Sequence, residues 1–310
     1  MKRLLLGLVA LMPGFLLEAQ DSSLLLEGRT IQLKEIVVRS NINVPSFMQR
    51  VQEDTTFYKA FRNLRVLQFT ALNDIRLLDR QGRLQASLRS RTRQHVKGGC
   101  RRTEVLEEMA TGDFYNASGG YNYYTASMYA SLLFAKGTVC GETNSVKGHA
   151  PSLKDKKGMD KHREQLKMLF FNPGVNIPGI PLVGNKLDIF DPQQARYYTY
   201  SIDLHTYRGE LAYSFTVQAR SGLSSFENGR IVMDAMTTWF AVSDFSVLGR
   251  QYRMSYNAGV YDFKVDMEVQ LERFGSLVVP SLLRYVGNWD VPLRKRERGV
   301  FTATLSEFSY

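Results

Sequence analysis

The sequence predicts a mainly β protein of the α+β class, with one large curved antiparallel sheet, or half-barrel, and two or three helices on its concave face. Residues 200–308 contain successive segments in which polar and apolar residues alternate, joined by short turns, which is the pattern of antiparallel strands. Apolar residues at helical spacing occur in shorter stretches between strand-like segments. Of the 310 residues, 44% are hydrophobic and 23% charged, so the chain can bury a sizeable core.

The first 19 residues have the pattern of a cleavable secretory signal peptide. Lys2 and Arg3 precede the apolar stretch Leu4–Leu17, and small Ala19 stands before the predicted cut. The apolar stretch is too short to span a bilayer as a helix. We therefore expect an exported protein whose residues 20–310 form a single β-rich domain, with a buried N-terminal helix as the alternative.

The N-terminal half is predicted to contain a strand, a helix and a hairpin. Ile31–Arg39 is rich in β-branched residues and predicts the strand. Apolar residues recur every three or four positions over Pro45–Leu64, which indicates an amphipathic helix with proline at its start. The hairpin arms are Val66–Leu78 and Leu84–Gln94, joined by a turn that contains glycine.

The middle of the chain is less regular. Glu104–Thr111 is predicted as a short helix or a loop, and Tyr121–Ala135 is an apolar run whose periodicity does not separate strand from helix. Residues 141–158 have almost no apolar side chains and predict an exposed loop. Met159–Phe171 predicts another helix, because its apolar residues fall on one face and Pro173-Gly174 follows.

The segment 172–185 is apolar and yet rich in proline and glycine, so it can be neither a regular helix nor a central strand. It has two interpretations: a loop packed over the mouth of the core, or a mobile flap that contacts an apolar ligand. The side chains available for such a contact include Val175, Ile177, Ile180 and Leu182.

The C-terminal half predicts an antiparallel meander. The strictest alternation is in Val260–Leu271, where Phe263, Val265 and Met267 share one face, so that face meets a core or a ligand and the other meets water. Proline at position 280 predicts an edge or a bulge. The predicted strands of this half are Tyr200–Tyr207, Leu211–Ala219, Phe245–Tyr256, Val260–Leu271, Leu277–Val286 and Arg298–Phe308.

Cys100 and Cys140 are the two cysteines of the chain. In an exported protein such a pair favours a disulfide over a metal site, which would need more ligands at closer spacing. Two buried free thiols are the alternative.

The net charge is +10 and the pI about 9.5. Because the basic residues are dispersed among acids and the chain is predicted to be exported, we expect no nucleic-acid partner; the basic surface instead suits peripheral contact with anionic lipid or glycan. The local basic excess is interpreted as a solvated strand face and loop, and it comprises Arg89, Arg91, Arg93, Lys97, Arg101 and Arg102.

No motif of catalysis, phosphate binding or dinucleotide binding occurs in the sequence. His95, His149, His162 and His205 are far apart and lie in different predicted elements. We therefore predict a protein that is not an enzyme and that has no cofactor and no metal site.

The order of these elements resembles the LolA-like fold family of periplasmic lipoprotein carriers: an N-terminal helix, a meander, a helical insertion and long hairpins. Pro45–Leu64, Met159–Phe171 and the hairpins of Tyr200–Leu271 carry the resemblance. It implies a curved sheet whose concave side holds acyl chains beneath the helices. The signal end Ala19-Gln20 and the string Asp54–Phe61 also resemble uncharacterised exported proteins of Bacteroidota.

The functional hypothesis is a non-enzymatic protein of the periplasm or cell envelope that binds an acyl or lipid-like ligand in the concavity of the sheet. A structural or assembly protein with a filled core and an envelope protein partner is the alternative, and an outer-membrane β-barrel is a further one. The candidate ligand contacts are Val175, Ile177, Ile180, Leu182, Phe263, Val265 and Met267.

Overall fold

The structure is a computed structural model. It describes residues 42–146, 168, 171–176, 185–257, 262–290 and 296–310 with their side chains, and residues 22–26, 29–33, 36–38 and 184 by secondary structure alone. The predicted signal peptide, residues 147–158 of the predicted loop, and Ile177, Ile180 and Leu182 lie outside the described residues, as does the predicted helix Met159–Phe171 except for its residues 168 and 171.

Most of the described chain forms one open curved sheet of twelve strands, in the order β3-β8-β9-β10-β11-β12-β13-β14-β4-β5-β6-β7. The eleven strands from β8 to β7 in this order pair antiparallel, and β3 lies parallel to β8, so the predicted fold class is confirmed. The strands are β1 Ser22–Leu26, β2 Arg29–Leu33, β3 Ile36–Val38, β4 Gln68–Leu78, β5 Leu84–Lys97, β6 Cys100–Thr111, β7 Val139–Cys140, β8 Tyr198–Tyr207, β9 Glu210–Ala219, β10 Met233–Ala241, β11 Val247–Asn257, β12 Asp262–Phe274, β13 Leu277–Asp290 and β14 Glu297–Ser309.

Alternation of side chains gives the sheet an apolar inner face. Along β12, Phe263, Val265 and Met267 are buried on this face, as the sequence predicts. Consecutive residues of β12 pair with residues of β13 that are two apart: Gln270 pairs with Leu282, and Leu271 pairs with Pro280. Ser281 is therefore an extra residue of β13 in a β-bulge. The prediction that proline 280 lies at a bulge is therefore confirmed.

Three helices lie on the concave inner face: α1 Val44–Glu53, α2 Thr56–Asn63 and α3 Tyr124–Leu133. The predicted single helix Pro45–Leu64 is two helices, because the Asp54 carboxylate accepts hydrogen bonds from the backbone N–H and hydroxyl of Thr56, at 3.2 and 2.6 Å. Such local side-chain bonds compete with helical continuation. Short helical segments also occur at Gly184–Leu187, Pro192–Ala195 and Ser225–Asn228.

The start of α3 depends on a distant residue. The Glu297 carboxylate of β14 accepts hydrogen bonds from the backbone N–H groups of Tyr124 and Thr125, both at 2.7 Å. This long-range cap satisfies donors that a local side chain usually satisfies. Because α3 is apolar on most of its circumference, neither its periodicity nor its flanking residues identify it as a helix.

Three predictions of local structure need correction. Glu104–Thr111 is neither helix nor loop but part of β6, an outer strand that is exposed on both faces from Val105 to Thr111, so its sequence there lacks a clean alternation. Ile31–Arg39 is divided between β2 and β3. The strand β10, Met233–Ala241, is absent from the sequence prediction, although it pairs with both β9 and β11.

The core is one cluster between the inner face and the helices. Phe47 of α1 packs edge-on against Phe245 and Phe240, with ring centroids 5.1 and 5.9 Å apart. The helix α2 packs on β13 and β11, and α3 packs on β14.

A disulfide joins Cys100 of β6 to Cys140 of β7, with the two Cα atoms 4.0 Å apart. Cys100 and Cys140 are directly paired in the ladder, and β7 has only two residues. A two-residue strand provides little pairing energy, and the disulfide adds a covalent link between these chain segments.

We expect the double variant Cys100→Ser/Cys140→Ser to lower the free energy of unfolding by roughly 3–4 kcal/mol, because the bond closes a loop with a sequence separation of 40 residues. Denaturant unfolding of the oxidised protein and the double variant measures this. A reducing agent should destabilise the original chain and leave the double variant unchanged. Equal unfolding midpoints for the two proteins would contradict the expectation.

Candidate functional site

Three of the predicted ligand contacts lie together in the middle of the inner face. Phe263, Val265 and Met267 are each less than 5% exposed, and the ring of Phe263 stacks on Trp289 at a centroid distance of 5.0 Å. Val175 is half-buried. The inner face therefore provides an apolar surface beneath the helices, and ligand contact by these side chains stays a prediction.

The inner face also contains a buried cation that the sequence analysis missed. Arg250 of β11 is 7% exposed, its Nε donates to the hydroxyl of Thr238 at 2.9 Å, and its guanidinium lies 4.3 Å from the ring centre of Phe57 in α2. Burial lowers the pKa of Arg250 to about 10, so the group stays protonated at neutral pH. Arg250 lies two residues before buried Tyr252 in β11 and so on the same face of the strand, and this alternation is the sequence signal for its burial.

Burial of this guanidinium is unfavourable for stability. A desolvated charge costs several kcal/mol, and replacement by a well-packed apolar residue is often neutral or stabilising. Among the described residues, Thr238 accepts its hydrogen bond, the ring of Phe57 lies against it, and the charge of the Asp54 carboxylate partly offsets the effect of burial on its pKa. An inner face selected for stability alone would have an apolar residue at this position.

A second cationic feature lies at the rim of the inner face, where α2, α3, β5 and β6 meet. A cavity of about 50 Å³ opens there, and we call it the arginine pocket. Its polar side is formed by Arg62, Arg65 and Arg101, together with Gln94. Its apolar wall belongs to the core cluster and comprises Tyr58, Phe61, Leu64, Leu133, Met168 and Phe171.

The turn between β5 and β6 directs Arg101 into this pocket. Gly98 and Gly99 both have positive φ, 59° and 72°, as a two-residue hairpin turn requires, and they pair Lys97 with Cys100. Arg101 consequently lies on the same face as buried Gln94, and its Nη1 donates to the Gln94 side-chain oxygen at 3.1 Å. The interpretation of Arg101 as part of a solvated strand face is therefore wrong.

One carboxylate faces the three arginines. Glu142 pairs with Arg65 Nη1 at 2.8 Å and with Arg101 Nε at 2.5 Å. Burial alone would raise the pKa of Glu142, but the hydrogen bond from Arg101 and the charges of Arg65 and Arg62 outweigh it and lower the pKa. The pKa of Arg65 is also lowered, by burial and then by the nearby charge of Arg62.

Arg89, Arg91 and Arg93 of the basic segment are on the outer face and are ion-paired. Arg89 contacts Asp74 at 3.3 Å, and Arg93 contacts Glu307 at 2.9 Å. Their interpretation as a solvated strand face is confirmed.

The described histidines do not form a catalytic pair. His95 contacts Glu104 at 2.6 Å on β5 and β6. His205 Nε2 accepts from the indole N–H of Trp239 at 3.1 Å, so Nδ1 of the neutral ring carries the proton and faces the hydroxyl of Ser214 at 3.4 Å. A ring that donates to a serine is not its general base. His149 and His162 lie outside the described residues.

Within the described ranges, no group of three or more His, Cys, Asp or Glu side chains is placed to hold a metal ion. No helix in the same part of the chain has the length and apolar character needed to cross a membrane.

No protein-family model and no curated protein matches the chain. Among solved structures, it is similar to a DUF1329 family protein from Desulfovibrio piger, with 10% identity, a TM-score of 0.25, and coverage of 84% of this chain and 93% of that one. It is also similar to a domain described as an outer membrane lipoprotein-sorting protein from Vibrio parahaemolyticus, with 8% identity, a TM-score of 0.26, and coverage of 85% and 89%. Similarity at these TM-scores establishes no shared function, and neither match supports the resemblance to proteins of Bacteroidota.

We expect Thr238→Val to destabilise the protein by about 1–3 kcal/mol, because it removes the acceptor of a buried charged donor. Thr237→Val is the matched control, since the Thr237 hydroxyl bonds to Thr216 at 3.0 Å on the outer, partly exposed face. Thermal unfolding of both variants tests this. Equal destabilisation by the two substitutions would show that Arg250 does not depend on Thr238.

The ion pairs of Glu142 predict a loss of stability in acid. The folded-state pKa lies below the usual 4.5, so the stabilisation is present above about pH 4.5 and disappears as pH falls through the lowered value. Glu142→Gln should therefore be less stable than the original chain at about pH 7 and equally stable at low pH. Denaturant unfolding across this range measures the difference, with Glu272→Gln on an exposed site as control. A constant difference at every pH would refute the assignment.

Proposed function

We propose that this chain is an exported, non-enzymatic envelope protein that binds an acyl or lipid-like ligand between the curved sheet and its helices. The observation that carries the proposal is the inner face itself: one apolar cluster that extends across the sheet and is covered by short, separate helices. A cover of this kind can part from the sheet in pieces, whereas a second packed sheet would have to move as one body.

The energies of cover and ligand are comparable. Burying one large apolar side chain contributes about 1.5–3 kcal/mol, and each methylene of a bound chain contributes about 0.8 kcal/mol. An acyl chain of about twelve carbons would thus gain roughly 10 kcal/mol before the cost of binding. This is on the scale of what a helix of eight to ten residues gains by packing three or four side chains, so an acyl chain can replace one helix on the sheet.

The composition of the buried cluster supports an adaptable surface. Methionine is unbranched and flexible, and it adjusts to partners of different shape. Met48 of α1 belongs to the cover, while Met254 and Met267 lie on the sheet. Buried Arg250 adds a charge that stability alone would not select, as is common at functional surfaces.

Two features support a location in the periplasm or cell envelope. One is the signal-peptide pattern of residues 1–19. The other is the Cys100–Cys140 disulfide, because such bonds persist in oxidising compartments. The net charge of +10 favours peripheral contact with anionic lipid.

We expect native mass spectrometry of the purified protein to find co-purifying lipid, and the delipidated protein to bind a neutral fluorescent acyl probe. Met267→Trp on the inner face should weaken probe binding at least tenfold, because the larger side chain fills the space that the acyl chain would occupy. Glu268→Trp, one residue away on the outer face, is the matched control and should bind as the original chain does. Absence of both lipid and probe binding would overturn the proposal, as would equal weakening by the two variants.

One observation favours the second candidate, an assembly protein with a filled core. Beyond Arg101 the described pairing of β6 is with β5 alone, and this edge carries exposed apolar side chains at Val105, Leu106 and Met109. Exposed sheet edges can pair with another chain. A cross-linked envelope partner together with absence of lipid would favour this candidate.

A further inference from the structure

We propose that the arginine pocket binds a phosphate-class anion, and that this anion is the polar end of the ligand. Only the second clause rests on the proposed function. The three guanidinium groups, the buried unpartnered Nε of Arg62 and the apolar wall of the pocket carry the inference.

The charge of the pocket favours an anion. Among the described residues, Arg62, Arg65 and Arg101 are opposed by one carboxylate, that of Glu142, so the described lining has an excess of two positive charges. Guanidinium groups bind the oxygens of phosphate in pairs, with stronger hydrogen bonds than neutral donors make. An excess of two charges matches a phosphate monoester better than a carboxylate.

Arg62 has unused hydrogen-bonding capacity. Its Nη2 donates to the backbone oxygen of Thr143 at 2.9 Å, while its Nε is buried with no partner among the described residues. A buried donor without an acceptor costs about 1–3 kcal/mol. Because this Nε is closed to solvent, the Arg62 side chain must shift toward the pocket to reach an oxyanion, and that contact would relieve the penalty.

The size and the access of the pocket fit a head group. A cavity of about 50 Å³ accommodates a group of a few water molecules and excludes an acyl chain. The Arg65 side chain is 33% exposed, so the mouth reaches solvent. The opposite wall continues into the core cluster through Phe61 and Phe171, whose ring centroids are 4.3 Å apart. An anion held at the mouth would leave an attached chain directed along that wall.

The competing interpretation is purely structural: the arginines hold residues 141–146 against α2 and β6 through Glu142 and the Thr143 carbonyl. The two interpretations differ for Glu142→Gln. If the arginines bind an anion, this substitution removes a competitor and tightens binding. If they are only structural ties, it creates no anion affinity; the loss of stability at neutral pH is expected in both cases.

Calorimetric titration of the full chain with inorganic phosphate tests the site. We expect Arg62→Met to weaken phosphate binding about tenfold and Glu142→Gln to tighten it about tenfold, the scale of one charge-assisted hydrogen bond. Arg83→Met, on the exposed β4–β5 turn, is the control and should bind as the original chain does. No phosphate binding, or unchanged affinity in both pocket variants, would overturn the proposal. If Arg62→Met does not fold, an unchanged phosphate affinity in Glu142→Gln is sufficient to overturn the proposal.

A short-chain phosphatidic acid, used below its micelle concentration, identifies the source of the anion. If phosphatidic acid binds more tightly than inorganic phosphate, and Arg62→Met loses this binding, the pocket holds a lipid head group. If the two affinities are equal, the pocket holds a free phosphate, and the anion is not the polar end of the ligand. Binding of the neutral acyl probe without phosphate binding would leave the proposed function and refute the pocket. Phosphate binding without probe binding would support the anion site and refute the proposed function.

Discussion

A twelve-stranded sheet with one apolar face requires a cover, and the nature of that cover determines the rest of this molecule. In a sandwich, a second sheet would provide it with its own alternation and its own edges. Here the described cover consists of α1, α2 and α3, each no longer than ten residues, together with loops. The break at Asp54 allows α1 and α2 to follow the curvature of the sheet. Every function proposed for the chain depends on how firmly these pieces are held.

The sequence predicts the sheet well where one face is buried and the other exposed. In β12 the alternation gives strand, face and register together, since a shift of one residue would turn Phe263, Val265 and Met267 to water. At the edge this signal disappears, because the part of β6 from Val105 to Thr111 is exposed on both faces, and its glutamates then suggest a helix or loop. The start of α3 is also invisible locally, since its cap is a carboxylate from β14, more than 170 residues away.

The candidate site was harder to predict than the sheet. Its apolar part follows from alternation, but its charged part depends on pairing between strands. Whether Arg101 or Arg102 faces inward is decided by the two-glycine turn, which pairs Val96 with Arg101. The approach of Arg62 from α2, and of Arg65 from the turn that follows it, then depends on how the helix packs against the sheet, which no spacing along the chain encodes. Arg250 differs, because the alternation along β11 predicts that its side chain faces inward. The general expectation that arginines are exposed argued against that prediction.

The contacts of Glu142 link the two proposals. This carboxylate holds Arg65 and Arg101 in place and neutralises part of the charge that would attract an anion. An incoming phosphate therefore competes with Glu142 for Arg65 and Arg101, whose contacts tie residues 141–146 to the rim of the inner face. Thermodynamic linkage makes the relation reciprocal, so whatever loosens this tie also favours anion binding. The apolar wall of the same pocket includes side chains of α2 and α3, so occupancy of the pocket and movement of the cover involve some of the same residues. An amphiphile with its anion at the rim would therefore act on both at once.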